Sequence, residues 1–330
     1  MKTNFPLSIT IEPVKGCNLQ CRHCFVWLKH KGPVKLMPFE TFLKLEKTFK
    51  STRTLGFGGR GEPFLNPNLI DMVKFAKSIN PNIKIWSLTN ATLLSEELSK
   101  KIVNSGLDDL RISIDGSTAK SYEKLRPGAQ FKDAIFNIRR LTKIKALLKK
   151  NKPSLTLFFV ATKENITELS HLLDLAKNLS IGAIYVIKLR AYYKKLEKEA
   201  LVFKKIDREN SKIIHSSLSK AKKMNIKLYI EGLNIGQAWE CEGTHSCNIT
   251  WDGQIVPCCF LMSTIKYSLG GVKVFCKKYS FGKLSESAFG DIWGSNEYVK
   301  LRKMVATKNL PHICAPCMPF AIKKQGPCKN

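Results

Sequence analysis

The stretch that decides the fold is Cys17-Asn-Leu-Gln-Cys21-Arg-His23-Cys24, which follows a short apolar run at residues 7–11. That run reads as a strand, and Gly16 opens the loop that carries the cysteines. The pattern is Cys-x3-Cys-x2-Cys, with no fourth cysteine nearby. A structural zinc ion takes four ligands, often from two Cys-x-x-Cys pairs, so zinc here would have to borrow His23. Three thiolates on a cubane iron–sulfur cluster leave one iron open to a small molecule. The spacing favours the cluster.

Outward from this loop, apolar strand-like runs alternate with segments of helical period. Strands are expected at 7–11, 54–57, 83–88, 110–114, 155–161 and 183–187. Helices are expected at 39–49, 68–79, 95–104, 132–149 and 166–178. Such alternation implies an α/β fold with a parallel sheet and right-handed crossovers. About six units suit a partial (β/α)6 barrel better than a closed eightfold one, and place the cysteine loop at the C-terminal face where active sites are built. Asn68, Ser95 and Thr118 are candidate N-caps, and Gly106 and Gly182 candidate helix-to-strand turns. From about residue 192 charged helical sequence runs to 223, with a short strand at 226–230. After Gly232 the chain is rich in cysteine and hairpin-like, and a helix near 291–305 precedes Cys314-Ala-Pro-Cys317. The expected division is a barrel at 1–190, a helical bridge at 191–231 and a small α+β domain at 232–330.

The 330 residues include 11 cysteines, and 55 Lys plus Arg against 26 Asp plus Glu, for a net charge of +29. An apolar content of 44% excludes a disordered chain. No apolar run approaches the roughly 20 residues of a membrane span. Residues 1–10 include Pro6 and no continuous apolar stretch, so no signal peptide is expected. Cysteine-rich sequence without a secretion signal points to metal or redox chemistry in a reducing, cytoplasmic compartment. Arginine supplies only ten of the 55 basic residues, so a solvated lysine surface accounts for most of the charge. Arg139, Arg140, Lys143, Lys145, Lys149, Lys150 and Lys152 nevertheless lie together without an acid. The charge disfavours a free cationic partner and suits an anionic or neutral substrate.

The cysteine loop resembles the signature of the radical SAM superfamily, with His23 where those enzymes usually carry an aromatic ring. The resemblance continues through Gly58-Gly59-Arg60-Gly61-Glu62-Pro63, similar to the glycine-rich segment that binds the amino group of SAM. Glycines let backbone approach a ligand, and a carboxylate accepts from an ammonium. Thr89-Asn90 closes the third strand, and Ser113-Ile-Asp115-Gly116 closes the fourth. The resemblance implies that Gly59, Gly61, Glu62, Asn90, Ser113, Asp115, Arg126 and His23 surround SAM, with Arg126 pairing its carboxylate. It also implies a [4Fe–4S] cluster on Cys17, Cys21 and Cys24, a reductant protein such as flavodoxin or ferredoxin, and reductive cleavage of SAM to a 5′-deoxyadenosyl radical. That radical would abstract hydrogen from an unactivated C–H bond.

Asn248-Ile-Thr-Trp-Asp252-Gly253-Gln-Ile-Val-Pro-Cys258-Cys259 reads as a hairpin turning at Asp252-Gly253. Together with Cys241 and the Cys314/Cys317 pair it resembles the SPASM and twitch extensions, which bind auxiliary iron–sulfur clusters. Phe281-Gly-Lys-Leu284, Asp291-Ile-Trp293 and Tyr298 are similar to the linker of that extension. Only Cys328 follows the pair, so one auxiliary [4Fe–4S] cluster is expected, on Cys241, Cys258, Cys314 and Cys317. Cys247 and Cys259 are the substitutes, since only one of two adjacent strand residues should face a cluster. Cys247 is also a candidate hydrogen-atom donor. A zinc ribbon would use similar thiolate pairs.

The family fixes how the radical is made and not its target. A peptide or protein substrate is the first expectation. The alternative is a nonpeptide substrate, by sugar dehydrogenation or by lipid C–C bond formation at an anionic membrane surface. Residues 192–223 interleave lysine with apolar residues, which suits peripheral contact with the inner membrane face. The same pattern suits an amphipathic helix packed on the protein. A basic zinc protein binding RNA is a distant third, and no specific nucleic acid is expected, because no recognised motif appears.

Overall fold

A computed structural model describes residues 5–24, 32–192, 194–200, 208–231, 241–269 and 272–314. In β1 (Ser8–Ile11), Ile9 and Ile11 are buried against helices while Ser8 and Thr10 face the concave side. A small ribbon, β2 (Val14–Lys15) with β3 (Lys35–Leu36), flanks the cysteine loop. Then come β4 (Thr54–Phe57), β5 (Lys84–Thr89), β6 (Asp109–Ser113), β7 (Ser154–Ala161) and β8 (Ala183–Lys188), each parallel to its neighbour. β7 buries Leu155, Leu157, Phe159 and Ala161 and leaves the intervening residues half-buried or exposed. Strands in a closed parallel sheet are apolar on both faces. The period-2 signal here reflects a concave face kept open.

The covering helices are α1 (Phe39–Leu43), α2 (Glu46–Phe49), α3 (Leu69–Ile79), α4 (Glu96–Val103), α5 (Ala119–Leu125), α6 (Phe131–Leu147) and α7 (Leu169–Asn178). The helix expected at 39–49 is thus two short ones, parted at Lys44–Leu45. Ser95 and Thr118 cap as expected, accepting from the backbone N–H of Leu98 and Ser121. Asn68 stands at the N-cap of α3 as expected, but its side chain makes no capping hydrogen bond. The Asn66 side chain fixes the approach to the helix, its Oδ1 accepting from Asn68 N at 3.0 Å and its Nδ2 donating to the carbonyls of Pro13 and Met37.

The expected helical bridge contributes a further strand–helix unit. α8 (Arg208–Lys223) buries Ile214, Ser217 and Ala221, and Lys220 reaches Asp174 of α7 at 2.6 Å. β9 (Lys227–Ile230) then pairs parallel with β8. The apolar stripe of α8 is therefore spent on protein packing. Among the described residues no helix is long and apolar enough to cross a membrane.

The sheet also continues past its other edge. β10 (Ser246–Ile249) pairs parallel with β1, placing Ser8 opposite Ser246 and Ile9 opposite Cys247. β10 turns at Thr250–Gly253 into the antiparallel β11 (Gln254–Val256), as the Asp252-Gly253 signal implied. A separate hairpin, β12 (Ile265–Leu269) with β13 (Val272–Cys276), follows, and β14 (Gly282–Lys283) closes a ten-stranded sheet. α9 (Phe289–Gly294) and α10 (Asn296–Ala306) complete this part. The linker residues meet in one aromatic cluster: Phe281 stacks on Tyr298 at 4.0 Å, Trp293 meets Tyr298 edge-on, and Arg302 lies 3.8 Å over Trp293.

The basic run on α6 is partly structural. Arg140 donates to Leu94 O and to Asn137 Oδ1, Lys145 to Pro153 O, and Lys152 pairs with Asp108.

Candidate functional site

Gly16 and Gly61 form a parallel bridge that locks the cysteine loop to the glycine-rich loop. Gly16 N donates to Arg60 O at 2.8 Å, and Glu62 N donates to Gly16 O at 3.2 Å. A Cβ on residue 61 would stand 2.3 Å from Gly16 O, so only glycine permits this approach. Gly59 has φ +129°, open to glycine, and packs on the Glu12 side chain.

Cys17, Cys21 and Cys24 are brought together beyond β2. Cys21 is buried, and Cys17 and Cys24 are half-buried. Burial raises the Cys17 thiol, and pushes Cys21 up to about 11 against the pull of Arg126. Arg126 Nη1 donates to Cys21 Sγ at 3.7 Å, and its Nη2 lies 2.6 Å from Asp115 Oδ2. Asp115 also accepts from Val160 N at 2.8 Å, and His23 Nε2 stands 3.4 Å from its second oxygen. Burial lowers His23 to about 4 although Asp115 favours its charge, so the ring is neutral at pH 7. Arg126, expected beside SAM, also pairs with the buried Asp115 and donates to the buried Cys21.

Asn90 and Glu62 form the next wall. Asn90 Nδ2 contacts Cys17 Sγ at 3.7 Å and Asn18 Oδ1 at 2.9 Å. Glu62 accepts from Asn90 N at 2.7 Å and from Phe64 N at 3.3 Å. Burial nonetheless pushes its carboxyl up to about 7. Ser113 ends β6, two residues before Asp115.

A cavity of about 550 Å³ runs from Gly58 and Gly59, past Ser8, Thr10 and Trp86, to the second set of cysteines. Cys241, Cys247, Cys258, Cys259 and Cys314 all border it; Cys317 lies outside the described residues. Cys241 is within electrostatic reach of Cys314, whose thiol burial pushes up to about 11. The Cys258–Cys259 pair does not sit in a strand as expected. Cys258 is extended and Cys259 begins a 3-10 turn, Cys259–Met262, so alternation does not set their directions. Cys258 lies on the side of Tyr298, and Cys259 on the side of Arg190, Tyr192 and Cys276. Cys247 is 1% exposed, lies opposite Ile9 in the register of β1 and β10, and borders the cavity; burial pushes its thiol up.

Residues 11–176 match the radical SAM superfamily, and residues 241–318 match SPASM, an iron–sulfur cluster-binding domain. The chain belongs to the radical SAM superfamily. The tungsten-containing aldehyde ferredoxin oxidoreductase cofactor-modifying protein of Pyrococcus furiosus is 30% identical over 319 residues, spanning 93% of this chain and 86% of its own. A protein named probable GTP 3′,8-cyclase from Methanococcus maripaludis is 27% identical, over 77% of this chain and 84% of its own. Among solved structures, SuiB of Streptococcus suis bound to precursor peptide SuiA superposes with a TM-score of 0.65 at 17% identity, over 90% of this chain and 66% of that one. anSMEcpe with bound AdoMet gives 0.64 at 17%, over 94% and 84%. These two share the fold.

As a radical SAM enzyme with a SPASM domain, the protein uses a [4Fe–4S] cluster, SAM and an auxiliary iron–sulfur cluster. The donor set fits: the buried Cys21 lies within electrostatic reach of Cys17 and Cys24, and three thiolates on a cubane leave one iron open.

One pair escaped the sequence reading. Arg60 clasps Glu12 with Nε to Oε1 at 2.6 Å and Nη2 to Oε2 at 2.5 Å, both side chains being buried. Its Nη1 donates to Met262 O and Ser263 Oγ. The radical SAM loop is thereby tied to the turn that begins at Cys259. The only sequence signal was a carboxylate directly after an apolar strand.

Proposed function

We propose that this enzyme cleaves SAM at a cluster held by Cys17, Cys21 and Cys24, and abstracts hydrogen from an anionic, cofactor-type small molecule seated in the 550 Å³ cavity. The observation that carries the reading is the cavity itself, bordered by Gly58 and Gly59 at one end and by Cys241, Cys258 and Cys314 at the other. When bound, the first cluster supplies the electron that splits SAM into methionine and a 5′-deoxyadenosyl radical. The chain's own residues prepare that event. Arg126 favours the Cys21 thiolate by donating to it. Glu62 and Asn90 offer acceptors for the ammonium of SAM, with Gly59 and Gly61 keeping the backbone close. Ser113 lies at the adjacent strand end. Trp86 and Leu88 line the cavity and exclude water from the reacting atoms.

Cys241, Cys258, Cys314 and Cys317 are assigned to one auxiliary cluster. The sequence alone ranked a peptide substrate first. Near full-length similarity to a cofactor-modifying protein, and similarity to a nucleotide cyclase, move the small-molecule reading ahead of it. A small reductant protein such as flavodoxin or ferredoxin would deliver the electron.

The test is anaerobic turnover with a chemical reductant and deuterated candidate substrates, nucleotides and pterins beside peptides. Deuterium in 5′-deoxyadenosine from the anionic small molecules is expected. Label from peptides alone would restore the peptide reading. A colourless, zinc-loaded protein without SAM turnover would overturn both.

A further inference from the structure

We propose that Arg190 anchors an oxyanion of the substrate, a carboxylate or a phosphate, and so sets substrate specificity. This rests on the cavity being the substrate site. Arg190 lies two residues past β8, and among the described residues lining the cavity it is the only charged side chain. The rest of that wall is apolar, thiol, or neutral polar such as Ser8, Thr10 and Asn248.

The guanidinium is poorly satisfied from within the protein. Its nearest carboxylate oxygen, Glu231 Oε1, stands 3.8 Å from Nη2, beyond hydrogen-bond distance. The other oxygen of Glu231 accepts from Lys188 N at 2.8 Å, which holds that carboxylate in place. Arg190 Nε is buried without a hydrogen-bond partner. The Phe260 ring, 5.2 Å away, steadies the cation from one side without consuming a donor. The side chain is 32% exposed, so donors remain open to the cavity. A planar guanidinium with free donors in a pocket lined mainly by apolar, thiol and neutral polar groups matches a carboxylate or phosphate in bidentate fashion.

The test is calorimetric titration of the cluster-loaded, SAM-saturated protein with inorganic phosphate in one arm and acetate in the other. The arm that binds names the oxyanion. Arg190→Gln is expected to weaken binding about tenfold or more, the scale for losing a hydrogen bond to a charged group, with Arg190→Lys in between. Glu231→Gln, which removes the competing carboxylate, is expected to tighten binding, and this arm decides the matter if Arg190→Gln fails to fold. Equal affinity in wild type and Arg190→Gln, no heat from either anion, or unchanged affinity in Glu231→Gln overturns the proposal. So does an Arg190→Gln protein that loses iron yet binds the anion normally, because the cation would then serve the cysteines. The cavity's catalytic role is judged separately, by 5′-deoxyadenosine formation in the wild type.

Discussion

Arg60 and Glu12 join three parts of the molecule through one buried ion pair. Glu12 follows β1 and also accepts from Trp251 N in the β10–β11 turn, while Arg60 sits in the glycine-rich loop and donates to Met262 and Ser263. Removing one member strands the other as an uncompensated buried charge. Arg60→Ala is expected to cost about 3–5 kcal/mol, and the double variant Glu12→Leu/Arg60→Met to recover most of it. Denaturation midpoints of the cluster-loaded proteins check this; equal losses in both variants would show that a stranded charge is not what destabilises Arg60→Ala.

Iron content separates the two cysteine sets. Wild-type protein reconstituted without oxygen should carry about eight irons, two cubanes' worth. Alanine at Cys17, Cys21 or Cys24 should remove half of that iron and abolish reductant-dependent 5′-deoxyadenosine. Alanine at Cys241, Cys258 or Cys314 should also remove half, but from the other cluster. Four irons in the wild type would eliminate the auxiliary cluster, and SAM turnover in all three of the first variants would refute the cluster assignment.

Glu62, proposed to accept from the SAM ammonium, is expected to give SAM binding a pH dependence. Burial raises its pKa from 4.5 to about 7, so the folded protein holds a proton there that the unfolded chain releases. Stability of the SAM-free protein therefore declines as pH rises from 4.5 to about 7 and is level above. An ammonium pairs with the ionised carboxylate, so SAM affinity should fall by up to about tenfold per pH unit below 7 and plateau above it. Equilibrium dialysis at several pH values would measure this. An identical slope in Glu62→Gln would remove the carboxylate from the SAM site.

The contact between Arg126 and Cys21 should tune the catalytic cluster. A cation beside a ligand sulfur stabilises the reduced, more negative cluster. Arg126→Gln is expected to lower the midpoint potential by roughly 60 mV, a tenfold change for one electron, while Arg126→Lys keeps most of it. Redox titration followed by electron paramagnetic resonance reads the shift, and an unchanged potential would reduce Arg126 to a structural partner of Asp115.

Local signals made much of this legible. The apolar runs gave the barrel strands, and the spacing of Cys17, Cys21 and Cys24 with the motifs that follow marked the family. What stayed hidden depends on partners distant in sequence. The strand at 226–230 was expected, but not its place in the sheet, because its pairing with β8 has no local mark. Nothing near Asn66 in the sequence shows that its side chain bridges the carbonyls of Pro13 and Met37. The contacts of Arg126 with Asp115 and Cys21 were hidden because nothing in its own segment reveals them. The directions of Cys258 and Cys259 depend on a 3-10 turn that replaces the expected strand.

The parallel pairing of β1 with β10 has a consequence for how the protein is made. β1 must wait for β10, far later in the chain, before its open edge is covered, and contacts so far apart in sequence form slowly. Until then β1 exposes an unpaired edge beside free thiols, a state prone to association with other chains. Expression at low temperature, with iron and sulfide supplied during synthesis, should therefore improve the soluble yield more than reconstitution after purification.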